Sequence, residues 1–296
     1  MSCQIAREER IAGCLLAGAL GDAIGSRFEG GAPTSEFSIP AELRVTDDTQ
    51  LTIATCEAIV SAGEVNPESI AQHFVSWFRA GRIRGIGMST WSALSQLDAG
   101  GHWASVGASG EHSAGNGAAM RIAPLAFLLN PDEANDRRTI RDVCRITHRN
   151  DEAYVGALVI VRSIRHAVGG APLNDAFLAN LVERLPDSRV RDRLIEVRDS
   201  AISVRDYAMR FGSSGYVVDS VPLAVLAAAQ SADFLETIEQ IVKCGGDTDT
   251  IASMYGQIYG AAIGSEGLPM DILNRIDEVS LVRETVAKFP HSRIVR

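Results

Sequence analysis

The chain reads as an all-α protein. Apolar residues recur at helical spacing through nearly its whole length, and runs of alternating apolar and polar residues are scarce. The punctuation agrees: helix starts are marked at Pro67, at Asp132 after Pro131, at Asp151 after Asn150 and at Asp233. Gly63, Gly169-Gly170 and Gly264 supply stops.

Taken in order, a first helix over 7–24 is rich in Ala, Gly and Leu, a composition suited to close packing against neighbours. Helical patterns follow over 49–62, 67–79, 89–97 and 117–129, then 132–147, 151–168, 173–184 and 188–204. The series closes with 221–229, 232–243, 250–263, 270–276 and 279–288. Residues 36–39 and 42–45 are at most short extended pieces. The Gly-rich stretches 25–34, 81–87 and 100–117 read as loops between helices. No linker, low-complexity segment or fixed-period repeat divides the chain, so one compact domain spanning 1–296 is expected.

Composition narrows the function classes. With 296 residues, 46% hydrophobic and 22% charged, the chain has ample material for a core. A net charge of -9 argues against a surface that coats nucleic acid. The five cysteines, Cys3, Cys14, Cys56, Cys144 and Cys244, show no paired spacing. That pattern points to reduced thiols and the cytoplasm and gives no zinc signature, with Cys14 and Cys56 as core residues. The apolar run 11–20 follows the mixed charges Arg7-Glu8-Glu9-Arg10 and is closed by Asp22. It is too short to span a bilayer and reads as a buried helix rather than a signal segment.

Two short segments carry the chemistry. Thr46-Asp47-Asp48-Thr49 and Gly245-Gly246-Asp247-Thr248-Asp249-Thr250 lie far apart, each just ahead of a helical pattern. Taken singly, either reads as an N-cap, because Asp and Thr oxygens accept the free N–H groups of a first turn. A cap needs one oxygen, however, and each segment offers four consecutive side-chain oxygen donors. Brought together they would form an oxygen-only set suited to Mg²⁺, Mn²⁺ or Ca²⁺.

A second stretch, Ser113-Ala114-Gly115-Asn116-Gly117-Ala118-Ala119-Met120-Arg121, leaves its backbone uncovered ahead of a helix. Such a turn suits a phosphate, although it lacks the Lys of a P-loop and follows no predicted strand. Asp22 and Glu29 flank the end of the first helix, Glu29 within a glycine-rich loop where functional side chains are often displayed. A solvated surface glutamate is the plain alternative for Glu29. His148 stands at a helix end, where it either complements the dipole or contacts a ligand. The other histidines, His73, His102, His112, His166 and His291, have no metal-ligand spacing.

Together these segments resemble the ADP-ribosylglycohydrolase family, which includes the dinitrogenase reductase-activating glycohydrolase. The matching elements are Gly21-Asp22-Ala23-Ile24-Gly25 with Glu29, Thr46-Asp47-Asp48-Thr49, Gly115 to Arg121, Thr147-His148 and Gly246 to Thr250, in family order from residue 11 to 264. The resemblance implies an all-α orthogonal bundle of many helices, with two Mg²⁺ or Mn²⁺ ions at the base of an ADP-ribose cleft. It implies metal ligation by Thr46, Asp47, Asp48, Asp247, Asp249 and Thr250, and catalytic roles for Glu29, Asp47, Asp48 and Asp249. Ser113, Gly115, Asn116 and Gly117 would line the pyrophosphate, with Met120 and His148 near the substrate. The implied reaction is removal of ADP-ribose from a modified protein side chain, arginine first among them.

The chain departs from that pattern in two places. Many bacterial members carry an acidic residue before a Gly-x-[ST]-T segment, where this chain has Arg84-Gly85-Ile86-Gly87-Met88-Ser89-Thr90. Some relatives place an aromatic where Ala114 stands, so the adenine platform is unassigned; Trp91, Trp103 or Tyr255 could serve, with core packing the plainer reading for each. The competing expectations are hydrolysis of a serine O-linked or small-molecule ADP-ribosyl bond, an immunity protein that binds ADP-ribose or a toxin, and a purely structural role.

Overall fold

The computed structural model describes residues 5–290, so Cys3 and His291 lie outside the described residues. In chain order the helices are α1 (Arg7–Gly25), α2 (Asp47–Ala62), α3 (Pro67–Arg79), α4 (Met88–Asp98), α5 (Trp103–Val106), α6 (Ala123–Ala126), α7 (Ala134–Arg145) and α8 (Asp151–Val168). Then come α9 (Asp175–Glu183), α10 (Arg189–Asp199), α11 (Val204–Phe211), α12 (Val217–Gln230), α13 (Phe234–Cys244), α14 (Thr248–Ile263), α15 (Met270–Leu273) and α16 (Val279–Lys288). Two short strands, β1 (Ala108–Ser109) and β2 (His148–Arg149), pair in parallel.

The antiparallel pair α1 and α14 forms the centre, and small residues set its spacing. A Cβ on Gly13 would lie 2.3 Å from the Gly260 carbonyl oxygen, one on Gly21 2.2 Å from that of Ala252, and one on Gly256 2.2 Å from that of Ala17. The two backbones therefore touch at every fourth residue, a proximity that no larger side chain permits. At the far end of the seam the Thr248 hydroxyl donates to the Gly25 carbonyl at 2.8 Å. At the other end Arg10 Nη1 donates to the carbonyls of Ala167, Ala261 and Ala262, tying together the last turns of α8 and α14. Close packing thus delivers the end of α1 and the start of α14 to one place.

The elements differ from expectation where a proline or a cap intervenes. The predicted helix over 117–129 is a series of turns with only α6 helical. Pro124 has no N–H for the Met120 carbonyl, which accepts Gln257 Nε2 from α14 at 2.6 Å instead. The predicted helix over 188–204 is α10 followed by α11, because Ser203 caps a new start by accepting the Asp206 N–H at 3.1 Å. Helix α12 begins at Val217, before the expected 221, and carries Pro222 inside it. The Val218 carbonyl that Pro222 cannot engage accepts the Tyr207 hydroxyl at 3.3 Å. Helix α5 and β1 arise inside the expected loop 100–117, and residues 36–39 form no strand. Leu43 makes a single bridge to Ile276.

No helix among the described residues is long and apolar enough to cross a membrane. The run 11–20 is buried within α1 apart from Ala12, which is half-buried. Cys14, Cys56, Cys144 and Cys244 are free and buried.

Candidate active site

Asp22, fully buried at the last turn of α1, organises the first acidic segment. Its carboxylate accepts the Thr46 N–H at 3.0 Å, the Thr46 hydroxyl at 2.9 Å, the Thr49 N–H at 3.1 Å and the Thr49 hydroxyl at 2.5 Å. Burial pushes its carboxyl up to about 6, and those four bonds oppose the rise. With Thr46 as N-cap, Asp47 and Asp48 form the first turn of α2. Asp22 is therefore a structural acceptor.

The second segment is set by a glycine pair. Gly245 and Gly246 have φ of 70° and 77°, in the left-handed region, and pack on Gly31 and Ser213. Gly30 N–H donates to the Gly246 carbonyl at 2.8 Å, and Gly246 N–H returns a bond to Gly31 at 2.9 Å. These bonds tie the Glu29 loop to the start of α14. As a result Glu29, Asp247 and Asp249 place carboxylate oxygens within 4.8 Å of one another. The Thr250 hydroxyl donates to Asp48 Oδ2 at 3.2 Å, closing the gap between the two segments.

These groups line one cleft of about 490 Å³, together with Gly115, Asn116, Gly117, Met120 and His148. The size falls within the range of small-molecule sites, about 300–1,000 Å³. Among the expected site residues, Thr46 and Ser113 are not part of its lining. Thr46 turns its hydroxyl to Asp22, and the Ser113 hydroxyl donates to the Ser109 carbonyl at 2.9 Å. Asn116 Nδ2 donates to Asp247 Oδ2 at 2.5 Å and to the Ser220 hydroxyl at 3.1 Å, joining the small-residue loop to the acidic cluster.

Gly85, Gly87, Met88, Ser89, Thr90, Ser214 and Gly215 also line the cleft. Sequence reasoning noted the 84–90 loop only for its missing acid and found no signal at Ser214-Gly215. The latter joins because the Gly215 carbonyl accepts the Asn116 N–H at 3.0 Å. Tyr255 is fully buried in the core against Phe234, Trp103 lies tilted against His102, and Trp91 is exposed on α4. None of the three lines the cleft.

The electrostatics are those of crowded, buried anions. Burial pushes the carboxyls of Asp47 and Asp48 well above the usual range, with Asp22 adding to the first and Asp249 to the second. Burial and then Asp247 push Asp249 up to about 10, and the same two causes raise Glu29. Asp48 Oδ1 is buried with no hydrogen-bond partner. An oxygen-only donor set with mutual repulsion and an orphaned carboxylate oxygen fits a hard divalent cation. His148 departs in the other direction: burial and then Arg121 hold it down to about 3, so it is neutral near physiological pH.

The family model "ADP-ribosylglycohydrolase" matches residues 4–295. The ADP-ribosylarginine hydrolase Tri1 of Pseudomonas putida is 29% identical over 288 residues, covering 90% of this chain and 74% of the relative. The ADP-ribosylhydrolase ARH3 of Xenopus tropicalis is 26% identical over 315 residues, covering 88% and 89%. A solved structure described as an ADP-ribosylglycohydrolase-related protein complex superposes with a TM-score of 0.77 at 26% identity, covering 95% of this chain and 97% of that one. The chain belongs to the ADP-ribosylglycohydrolase family and is an ADP-ribosyl hydrolase.

Proposed function

We propose that this enzyme hydrolyses the bond between the anomeric carbon of ADP-ribose and a modified protein side chain, arginine first among them, at a site for two Mg²⁺ or Mn²⁺ ions. The observation that carries this reading is the meeting of two helix starts: Asp47 and Asp48 of α2 share a cleft with Asp247, just ahead of α14, with Asp249 and Thr250 of α14 and with Glu29. Thr46, Asp47, Asp48, Asp247, Asp249 and Thr250 would hold the ions, Thr46 through a lone pair left after its proton goes to Asp22. Divalent ions there would supply Lewis-acid activation of water and orientation of the ribose hydroxyls.

The chain's own groups account for the remainder. Gly115 and Gly117 offer uncovered backbone to the pyrophosphate, with Asn116, Met120 and His148 beside it. Asp47, Asp48 and Asp249 orient the attacking water, and Glu29, exposed at the cleft mouth, takes its proton. The water oxygen bonds to the anomeric carbon as the carbon–nitrogen bond breaks, through an oxocarbenium-like state. The guanidine leaves neutral and regains a proton, and ADP-ribose is the second product.

A serine O-linked substrate is the second reading, favoured by one observation. The cleft loop over 85–90 carries no carboxylate to receive a guanidinium. Four free buried thiols support a cytoplasmic setting, and the α1–α14 seam, built from both ends of the sequence, supports a single domain.

Release of ADP-ribose from arginine- and serine-modified peptides, with Mg²⁺, Mn²⁺ or EDTA, tests the reading. Metal-dependent release that an Asp247→Ala/Asp249→Ala variant loses supports it, and the preferred peptide identifies the linkage. A folded protein that binds ADP-ribose but releases none from either peptide would instead be a binding or immunity protein.

A further inference from the structure

Arg121 heads the fully buried side chains by size, and its charge serves none of the roles described above. Its Nη2 donates to Thr147 Oγ1 at 2.5 Å, while Nε and Nη1 have no hydrogen-bond partner. The guanidinium carbon sits 4.9 Å from the centre of the Phe74 ring. A buried cation is costly to keep, so its single directed bond calls for an explanation.

That bond ends on a hydroxyl with one other side-chain neighbour. Thr147 is fully buried, and its Oγ1 lies 2.8 Å from His148 Nδ1. Arginine can only donate, so Oγ1 accepts from Arg121. Among the described residues the hydroxyl proton then has one acceptor in reach, Nδ1 of His148. A ring nitrogen that accepts carries no proton, which places the imidazole proton on Nε2. The Nε2 edge faces the small-residue loop. A Cβ on Gly115 would lie 3.0 Å from Nε2, and one on Gly117 2.9 Å from Cε1. Nε2 has no protein acceptor among the described residues, and His148 lines the cleft.

We propose that Arg121 is a positioning residue: acting through the Thr147 hydroxyl, it holds His148 as the neutral Nε2–H tautomer, a fixed donor to an acceptor oxygen of the ADP-ribosyl group. The identity of that ligand rests on the proposed function; the tautomer does not. A ring held by a buried hydroxyl on one side and two glycines on the other needs no reorientation when an oxygen arrives, which is the advantage of a preorganised donor. The nearby guanidinium also disfavours the doubly protonated ring, so the donor stays neutral.

Long-range ¹H–¹⁵N correlation on ¹⁵N-histidine-labelled protein, free of metal and ligand and near neutral pH, tests this. A His148→Gln variant identifies the signal among the six histidines. The expected pattern is an unprotonated Nδ1 and a protonated Nε2. Thr147→Val should yield a mixture of tautomers and weaken ADP-ribose binding about tenfold, the scale of one hydrogen bond to a charged group. Thr147→Ser should restore both. Arg121→Met should loosen the tautomer in the same direction. Should that variant fail to fold, the Thr147 pair still decides.

A proton on Nδ1 in the wild-type protein overturns the proposal, as does a folded Thr147→Val protein with an unchanged pattern. Wild-type protein with the expected tautomer that binds no ADP-ribose would support the positioning and refute the functional reading instead.

Discussion

Thr250 donates its hydroxyl to Asp48 Oδ2 at 3.2 Å across 202 residues of sequence. This bond joins the first turns of α2 and α14. It ends on a carboxylate whose other oxygen is buried without a partner. Asp48→Asn should therefore relieve like-charge crowding and raise the melting temperature of chelated protein. For a chain this size each kcal/mol relieved corresponds to about 2–4 °C. The same variant should lose most of the further rise that Mg²⁺ gives the wild-type protein. Thermal melts of both proteins in EDTA and in Mg²⁺ check this. An Asp48→Asn protein that Mg²⁺ stabilises as much as wild type would remove Asp48 from the proposed metal site.

The same crowding sets a pH dependence. Asp249 is pushed up to about 10, and Asp47 and Asp48 are also raised, so the folded cluster holds protons that the unfolded chain gives up near pH 4. Where the folded state binds more protons, stability falls as pH rises. Chelated protein should therefore lose stability steadily above pH 4, up to about 1.4 kcal/mol per pH unit for each proton involved. Below about pH 6.5, His148, held neutral in the fold, opposes this trend because the unfolded chain takes up its proton. Denaturant melts in EDTA between about pH 6.5 and 7.5, below the range where the thiols of the unfolded chain give up protons, isolate the carboxylates, and Asp249→Asn should flatten the slope there.

The α1–α14 seam gives a stability prediction with an internal control. Gly21→Ala would drive a Cβ to 2.2 Å from the Ala252 carbonyl oxygen, where only backbone can yield. Overpacking of this kind costs about 1–3 kcal/mol. It should also lower activity by shifting Thr248 and Asp249 away from the end of α1. Gly87→Ala meets nothing within 4 Å and should melt like wild type. Equal melting temperatures for the two variants would show that the helices separate freely.

How legible the site was in the sequence follows from what set each part. Asp47, Asp48, Asp247 and Asp249 could be found because consecutive oxygen donors exceed what a helix cap consumes. The glycines of α1 announced close packing, although the partner, α14, is invisible in a local pattern. Ser214-Gly215 was missed because only a tertiary bond, Gly215 carbonyl to Asn116 N–H, brings it to the cleft. Arg121 was read as the end of a glycine turn, since nothing local tells a buried arginine from an exposed one. The break before α11 is made by Ser203, which accepts the Asp206 N–H, a cap hidden inside a helical pattern read as continuous over 188–204.

Gly117 separates binding from folding. A Cβ there would meet His148 Cε1 at 2.9 Å and the Thr90 hydroxyl at 3.2 Å, both side-chain atoms at the cleft wall. Gly117→Ala should displace the imidazole and raise KM for the ADP-ribosyl substrate about tenfold, the scale of one hydrogen bond to a charged group. The melting temperature should change little, because the displaced ring borders the cleft. Steady-state kinetics with thermal melts check this. A fall in kcat at unchanged KM would mean that the loop acts on the reacting carbon and not on the bound nucleotide.

The cysteines test the core itself. Cys14, Cys56 and Cys144 are fully buried, and burial pushes all three thiols up, that of Cys144 to about 12. Cys244 is 7% exposed and pushed up to about 11 by the same cause. Because the thiolate is the reactive form, none of the four should alkylate in the native state, even in mildly alkaline buffer. All four should label once denaturant unfolds the chain. Mass spectrometry of peptides after iodoacetamide treatment resolves each site. Native labelling at Cys14 or Cys56 would be the more telling failure, because Cys14 lies within α1 and Cys56 within α2, the helices that carry Asp22 and the first acidic pair. Their exposure would mean that the scaffold opens at the position where the site requires it to be closed.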